Sequence, residues 1–409
     1  MSEKVINRTI KKEQMPIMAL TFVTVLLLGS VIFLLTRVKT EEIRISDNWA
    51  NYAADSFSAG NGSKEDPFII SNARELSLLC KQVNDGEDTS GKCYAISKTI
   101  SLSGRDWLPI GYKNSFKGEL DGRGNTIHKV EVVPFKKVSN YGLFGINEGT
   151  LKNLTLTKTV VNLSFEDAKT YWSPRKDLFV GGLVGLNKGT VENCNVRATV
   201  ELNGAEGANV GLVCGNNSGN ISLVKTEGQI SLKESSVEAA GGLVGRMDEG
   251  LVEKIQCRAN LKSDSLSEVK LAGGFVGMAS DKASLAECVT KFVFSSEYDM
   301  LPQSLGGFIA GNDNADVTSC VCYSYNETGA EKTFLEFAAN DNVHGSTNAG
   351  YTSKNIIKVV GSDENVTIKT AKSRRKFFRT DLKFSGSEVW TFSKNKELPS
   401  LVMKMEEKD

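Results

Sequence analysis

GGLVGLNKGTVENCNV, residues 181–196, is the stretch on which the fold turns. Its opening phrase recurs as YGLFG at 141–145, GLVCG at 211–215, GGLVG at 241–245, GGFVG at 273–277 and GGFIA at 306–310. Counted from Gly145, the copies lie 40, 30, 30, 32 and 33 residues apart. A near-constant period of about 30 residues is the signature of stacked units, each burying its apolar face on the next instead of in one globular core.

Aligning the copies gives the units an inside. Leu154, Cys194, Val224, Ile255, Cys288 and Cys320 share one position, and Leu156, Val196, Thr226, Cys257, Thr290 and Cys322 share the position two residues on. Alternate residues of a strand face the same way, so both sets line one face. Columns of small and apolar side chains are what the interior of a parallel β-helix requires. Cys194, Cys214, Cys257, Cys288, Cys320 and Cys322 therefore read as core hydrophobes. The doubled glycines fit tight bends or close backbone approach. Asn147, Asn187, Asn217 and Asp313 align in a turn, where stacked side-chain amides can hydrogen-bond along the column. The turns RMDEGLV (246–252), MASDKASL (278–285) and NDNADV (312–317) lose the Asn and Gly of this pattern, which predicts less regular coils there.

Outward from the repeats, DPFII (66–70) reads as a strand and Asn72 as a helix cap, with Glu75 completing a capping box. Ala73, Leu76, Leu79, Cys80 and Val83 then fall on one helical face, suited to covering the open end of a solenoid. KCYAISKTISL (92–102), WLPIGY (107–112) and FKGELDGRGNTIHKVEV (116–132) alternate apolar and polar residues between glycine turns and read as strands. Met15 to Thr36 carries no charge over 22 residues, about 33 Å of helix and enough for a hydrocarbon core. Lys4, Arg8, Lys11 and Lys12 precede it, which favours a cytoplasmic N-terminus. The chain divides into a cytoplasmic N-terminus (1–14), a transmembrane anchor (15–36), a stalk (37–60), a cap with the first coils (61–140), the repeats (141–325) and C-terminal coils with a closing segment (326–409).

Lysine plus arginine equals aspartate plus glutamate at 49 each, so no global field favours nucleic acid. Glycine is abundant at 38 of the 409 residues and proline scarce at 7, as many tight turns between hydrogen-bonded strands demand.

The pattern G-G-L-V-G-x-N-x-G-x-V with E-N-C after it resembles the GLUG motif of bacterial surface proteins. WLPIGY followed by FKGELDGRGNTI resembles the segment that leads into those repeats, and Val389-Trp390 with LPSL (398–401) resembles the one that closes them. The resemblance covers roughly residues 61–403. It implies an extracytoplasmic β-solenoid. GLUG repeats occur in adhesin-like proteins and beside an immunoglobulin A peptidase, and the motif itself carries no established activity.

The fold expected is therefore all-β, a single-handed parallel β-helix of about 30-residue coils with a short N-terminal capping helix, preceded by one transmembrane helix. No catalytic or metal site emerges from the sequence, and no cofactor is implied. DGRGN (121–125) has turn spacing, with Asp121 lacking a second acid nearby. His128 falls in a strand and His344 in a polar loop, neither near a cysteine or histidine at ligand spacing. Cys80 and Cys93 stand outside the repeats. A disulfide joining them would close about 14 residues and stabilise the cap by about 3 kcal/mol. KSRRKFFRTDLK (372–383) reads as a solvated segment whose Phe residues close the C-terminal end, with contact to anionic polymer or lipid as the alternative.

The functional expectation rests on a loop. The longest repeat step places its excess in NLSFEDAKTYWSPRKD (162–177), with Tyr171, Trp172 and Arg175, and the loop at 295–304 brings Tyr298 and Asp299. Solenoid insertions collect on one face, and an aromatic pair beside arginine suits a sugar or protein partner. A membrane-anchored binding or adhesion module for glycan, wall component or protein leads. A β-helical carbohydrate-active enzyme and a structural spacer are the alternatives.

Overall fold

The computed structural model describes residues 47–403, apart from 136–137, 166–176, 298–299, 329–332, 340–346, 354–355, 361–364, 368–369 and 394–395. The apolar run 15–36 lies outside them. Among the described residues no helix is long and apolar enough to cross a membrane.

The body is a right-through stack of parallel strands, a β-solenoid. One wall is a six-stranded sheet built from Asn140–Tyr141, Leu178–Gly181, Ala208–Gly211, Ser236–Gly241, Glu268–Gly273 and Ser304–Gly306. The remaining strands of each coil pair with their counterparts above and below, as Phe144–Asn147, Val184–Asn187 and Cys214–Asn217 do. The repeated phrase is in register throughout: Gly181, Gly211, Gly241, Gly273 and Gly306 sit side by side in successive coils.

These glycines are required by approach between backbones. A Cβ on Gly211 would stand 2.4 Å from the Cys214 carbonyl of its own coil and 2.5 Å from the Leu243 carbonyl of the next. On Gly241 it would meet the Val244 carbonyl at 1.9 Å. The phrase is thus a corner where only a hydrogen side chain fits.

The next corner is held by side chains. Asn147 donates to Asn187 Oδ1 at 2.8 Å, and Asn187 donates to Asn217 Oδ1 at 2.7 Å. Each Asn also binds the turn it sits in, as in the 3.2 Å bond from Gly149 N to Asn147 Oδ1. All three are buried. Below Asn217 the column continues through Met247 and Ala279 to Asn312. Asn312, and not Asp313, occupies the position: it stands six residues after Gly306, as Asn187 does after Gly181, and the turn from Asn312 to Val317 is one residue longer than that from Asn217 to Ile221. The coils lacking Asn and Gly are less regular at the turn, as expected: the ladder shifts register between Met247 and Glu249, and at 312–316 it is interrupted. Val244–Ser263 and Val276–Ser296 nevertheless continue as bent strands, resuming their pairing after the shift at Glu249 and Lys282.

Both inward columns are formed as expected, and every residue in them is buried. Just before the first column the chain turns through a left-handed residue in each coil. Asn153, Asn193, Leu223, Lys254, Glu287 and Ser319 have φ from 49° to 57°. Asn tolerates this region best. The two Asn copies add a second short ladder, with Asn193 donating to Asn153 at 2.7 Å and Asn153 to Asp121 at 3.0 Å.

At the N-terminal end lies the helix Ala73–Asp85. Asn72 accepts from Arg74 N and Glu75 N, and Glu75 reaches back to Ser71 N at 2.6 Å, one residue before the cap. Leu76, Leu79, Cys80 and Val83 join the solenoid core. Asn84 fastens the helix to the coil beneath by donating to the Pro109 carbonyl and accepting from Gly111 N and Tyr112 N. WLPIGY forms no regular strand there, only a bridge from Ile110 to Phe144.

The C-terminal segment corrects the sequence reading. It contains the helix Ala371–Lys376 and the hairpin Trp390–Thr391 with Ser400–Leu401. It straps across the outer face of the coils and does not close their end. Phe377, Phe378, Phe384, Trp390 and Leu401 form a second core with Val289, Val321 and Tyr323, residues that alternate with inward positions and so face outward. Glu287, held at its left-handed corner, accepts from Ser385 N at 2.8 Å, Ser385 Oγ at 2.7 Å and Trp390 Nε1 at 3.3 Å. The main core continues instead through the stacked rings of Phe275, Phe308 and Phe337.

Replacing Asn187 with Ala removes two ladder bonds, leaving Asn147 Nδ2 with only its bond to the Gly149 carbonyl and depriving the buried Asn217 Oδ1 of its Asn187 donor. The expected loss is about 3 kcal/mol, measured by urea denaturation. Glu287→Ala should instead loosen the strap selectively, read as increased hydrogen exchange confined to residues 384–401.

Candidate functional site

The long strand of each coil ends at one corner, from which the chain crosses to the six-stranded sheet. Strands Thr155–Ser164, Asn195–Asn203 and Lys225–Lys233 and the ends of Val244–Ser263 and Val276–Ser296 are paired in register. The residues that leave these strand ends, Phe165 and Glu297 among them, therefore share that corner. The stems of the two insertions are four coil steps apart, about 19 Å at the strand spacing of a sheet. Tyr171, Trp172, Arg175 and Tyr298 themselves lie outside the described residues, as do Asp299 and His344.

Among exposed polar residues such as Glu234, Glu297 and Gln303, this edge displays three large apolar side chains. Leu266 is 71% exposed, Leu301 57% and Met300 49%, and they sit in the crossings of adjacent coils. The two crossings are tied together: Gln303 N donates to the Val269 carbonyl at 3.0 Å, and its amide to Glu268 at 3.2 Å. Contiguous exposed apolar groups rimmed by polar ones mark interaction surfaces. These three residues were not singled out from sequence. The available signal was Leu266 alone among polar residues in SDSLSE (263–268), and Met300-Leu301 stranded between Asp299 and Pro302.

At the DGRGN turn the acids are engaged structurally. Asp121 has an acidic neighbour that its local turn hides: Glu119 lies two residues back on the same strand face. Lys152 of the next coil spans both, 2.9 Å from Glu119 and 3.7 Å from Asp121. Asp121 also accepts from Arg123 N at 2.8 Å, which shapes the turn. His128 is half-buried in its strand. No group of three or more His, Cys, Asp or Glu suited to a metal occurs among the described residues.

The repeat thiols are all free and buried. Burial pushes Cys194, Cys214, Cys257 and Cys322 up from 9.0 to about 12. Cys80 rises equally, again through burial. It donates to the Leu108 carbonyl at 3.2 Å inside the cap, while half-buried Cys93 begins the strand Cys93–Ile96. Both are free, so the structure does not join them. The helix face that buries Cys80 turns it toward Leu108.

The GLUG motif family model matches residues 180–201, the repeat with which the reading of this chain began. Halomucin of Haloquadratum walsbyi (strain DSM 16790 / HBSQ001) is 32% identical over 119 residues, 25% of this chain and 1% of that protein. This chain thus spans a very small part of that relative. A crystal structure from Bacteroides ovatus, described as a candidate immunoglobulin A1 protease, superposes with a TM-score of 0.53 at 15% identity. The match covers 86% of this chain and 96% of that one. At that identity the two share a fold.

The raised thiols make stability depend on alkaline pH. Unfolded cysteines ionise near 9.0, whereas the buried ones hold their protons until about 12. The stabilisation is complete below pH 9 and is lost as pH rises toward 12. A steep fall in Tm should appear across that window, and Cys194→Val with Cys257→Val should flatten it. At pH 8, a thiol reagent should label Cys93 in the native protein while leaving the repeat cysteines unmodified.

Proposed function

We propose that this chain is a non-enzymatic surface-binding module, held in a membrane by residues 15–36 with its solenoid outside the cell. It engages a glycan, wall component or protein partner through the loop edge. The observation that carries this reading is the exposure of Leu266, Met300 and Leu301 on adjacent coils. They lie at the corner that launches both insertions, and adjacent crossings are bonded through Gln303. A solenoid supplies the rigid support that such an edge needs, because each coil is pinned on both sides by its ladder. Tyr171, Trp172, Arg175 and Tyr298 would add aromatic and cationic contacts to the apolar ones. Resemblance to GLUG-repeat surface proteins supports display outside the cell.

The carbohydrate-active alternative requires convergent carboxylates in a groove. One acidic pair on a shared strand face, Glu119 and Asp121, is bound by Lys152. The spacer alternative predicts an edge without binding energy.

The test is adhesion of cells displaying the full chain, together with glycan-array binding. Leu266→Asp with Leu301→Asp, and separately Trp172→Ala, should each reduce binding by about tenfold, since hot-spot truncation typically costs more than 1 kcal/mol. Both variants should retain wild-type Tm. Undiminished binding by folded variants would assign the chain to the spacer class. N-terminal sequencing of the mature protein tests the anchor: a start near residue 38 would overturn it.

A further inference from the structure

A second surface lies on a different face, where the C-terminal strap crosses the coils. Between the strap and the outward side of the strands is a cavity of about 100 Å³, lined by Gln256, Arg258, Lys291, Tyr323, Lys396 and Glu397 among others. Its position follows from register. Arg197, Glu227, Arg258, Lys291 and Tyr323 are laddered in successive coils, all on the outer face because Thr226, Cys257, Thr290 and Cys322 point inward. The strap seals one side, with Leu401 N donating to Gln256 Oε1 at 3.0 Å.

The lining carries three cations, Arg258, Lys291 and Lys396, against one carboxylate, Glu397. Among the described residues, Arg258, Lys291, Lys396 and neighbouring Lys225 have no carboxylate oxygen within 4.0 Å, although Glu227 and Glu397 are nearby. Lys291 rests 5.3 Å from the centroid of the Tyr323 ring, and Lys396 donates to Ser400 Oγ at 3.2 Å. Burial lowers the affinity of Lys225 for its proton, and Arg258, Lys396 and Arg197 lower it further. Like charges gathered beside a partly desolvated wall repel one another, and folding has to overcome that repulsion. A bound anion would convert the repulsion into charge-assisted hydrogen bonds, with Arg258 offering a planar fork and the lysines point charges.

We propose that this cavity is a binding site for one oxyanion group, a carboxylate, sulfate or phosphate, carried by an acidic polysaccharide or phosphorylated polymer. It is independent of the loop edge. Cys257 and the strand end near Ser263 are six residues apart, about 20 Å of strand. The volume admits a single charged group with its first attached atoms, and the Tyr323 ring forms one wall. A chain with balanced charge overall thereby gains a local positive site.

The full chain in neutral detergent is titrated with sodium phosphate, sodium sulfate and sodium glucuronate, with sodium chloride at matched ionic strength and glucose as controls. Tm and isothermal calorimetry are the readouts. At least one oxyanion should raise Tm saturably with one-site stoichiometry, and the strongest of the three identifies the source chemistry. Arg258→Gln and Lys291→Gln should each weaken that binding by about tenfold, while exposed Lys98→Gln leaves it unchanged. Without oxyanion, Arg258→Gln should match or exceed the wild-type Tm, because removing one cation relieves repulsion. Responses no larger than that to chloride would overturn the proposal. So would equal responses in wild type and a folded Arg258→Gln variant, or a lower Tm for Arg258→Gln in chloride alone.

Discussion

Parallel backbone ladders set consecutive coils 4.7–4.9 Å apart, and every other feature of this molecule has to fit that spacing. At such a distance, whatever stands at a position in one coil touches its counterpart in the next. A corner with a Cβ would collide with a neighbouring carbonyl, so Gly181, Gly211, Gly241, Gly273 and Gly306 recur. A buried amide finds its partner in the identical amide one coil away, so Asn147, Asn187 and Asn217 form a chain of bonds. A thiol stacks among methyl groups and loses its chemistry to burial. Repetition is thus a consequence of contact between equivalents.

The same constraint locates specificity. Inside the stack, identity of neighbours forces uniformity, and Met247 and Ala279 can replace Asn only by giving up the Asn-bound turn. Outside it, side chains and loops meet no equivalent that must match. There the chain departs from its period: at the loop corner, with exposed Leu266, Met300 and Leu301, and under the strap, with Arg258 and Lys291 facing the hairpin. Glu287 joins the two regimes. Its backbone makes the left-handed corner of its coil, while its carboxylate anchors Ser385 and Trp390.

Much of the fold was legible because it is local and periodic. The inward columns follow from a period of two within a strand and about 30 between coils. The helix face and its Asn72 cap follow from helical spacing. Register was harder. The Asn column holds Asn312 and not Asp313, since counting back from the next strand misses the extra residue in that turn, whereas counting forward from Gly306 does not. The turns that lost Asn and Gly were expected to be less regular, and the ladder does slip register at Met247/Glu249 before pairing resumes. Of the candidate site, the corner was visible as extra length. Its exposed apolar residues were not, since an isolated Leu in a polar stretch reads the same whether it packs inward or faces water.

Sequence by itself determined the coil, its inward faces, the cap helix and the places where glycine is obligatory, because each depends on residues near in the chain or one period away. Tertiary structure alone decided where the last thirty or so residues lie, that Cys80 faces Leu108 and not Cys93, and that cations from separate coils converge beneath the strap. Those contacts join residues separated by no fixed interval, such as Leu401 with Gln256 and Trp390 with Glu287. No periodic pattern can announce such a pairing. It exists only once the stack has made an outer wall for the strap to cross.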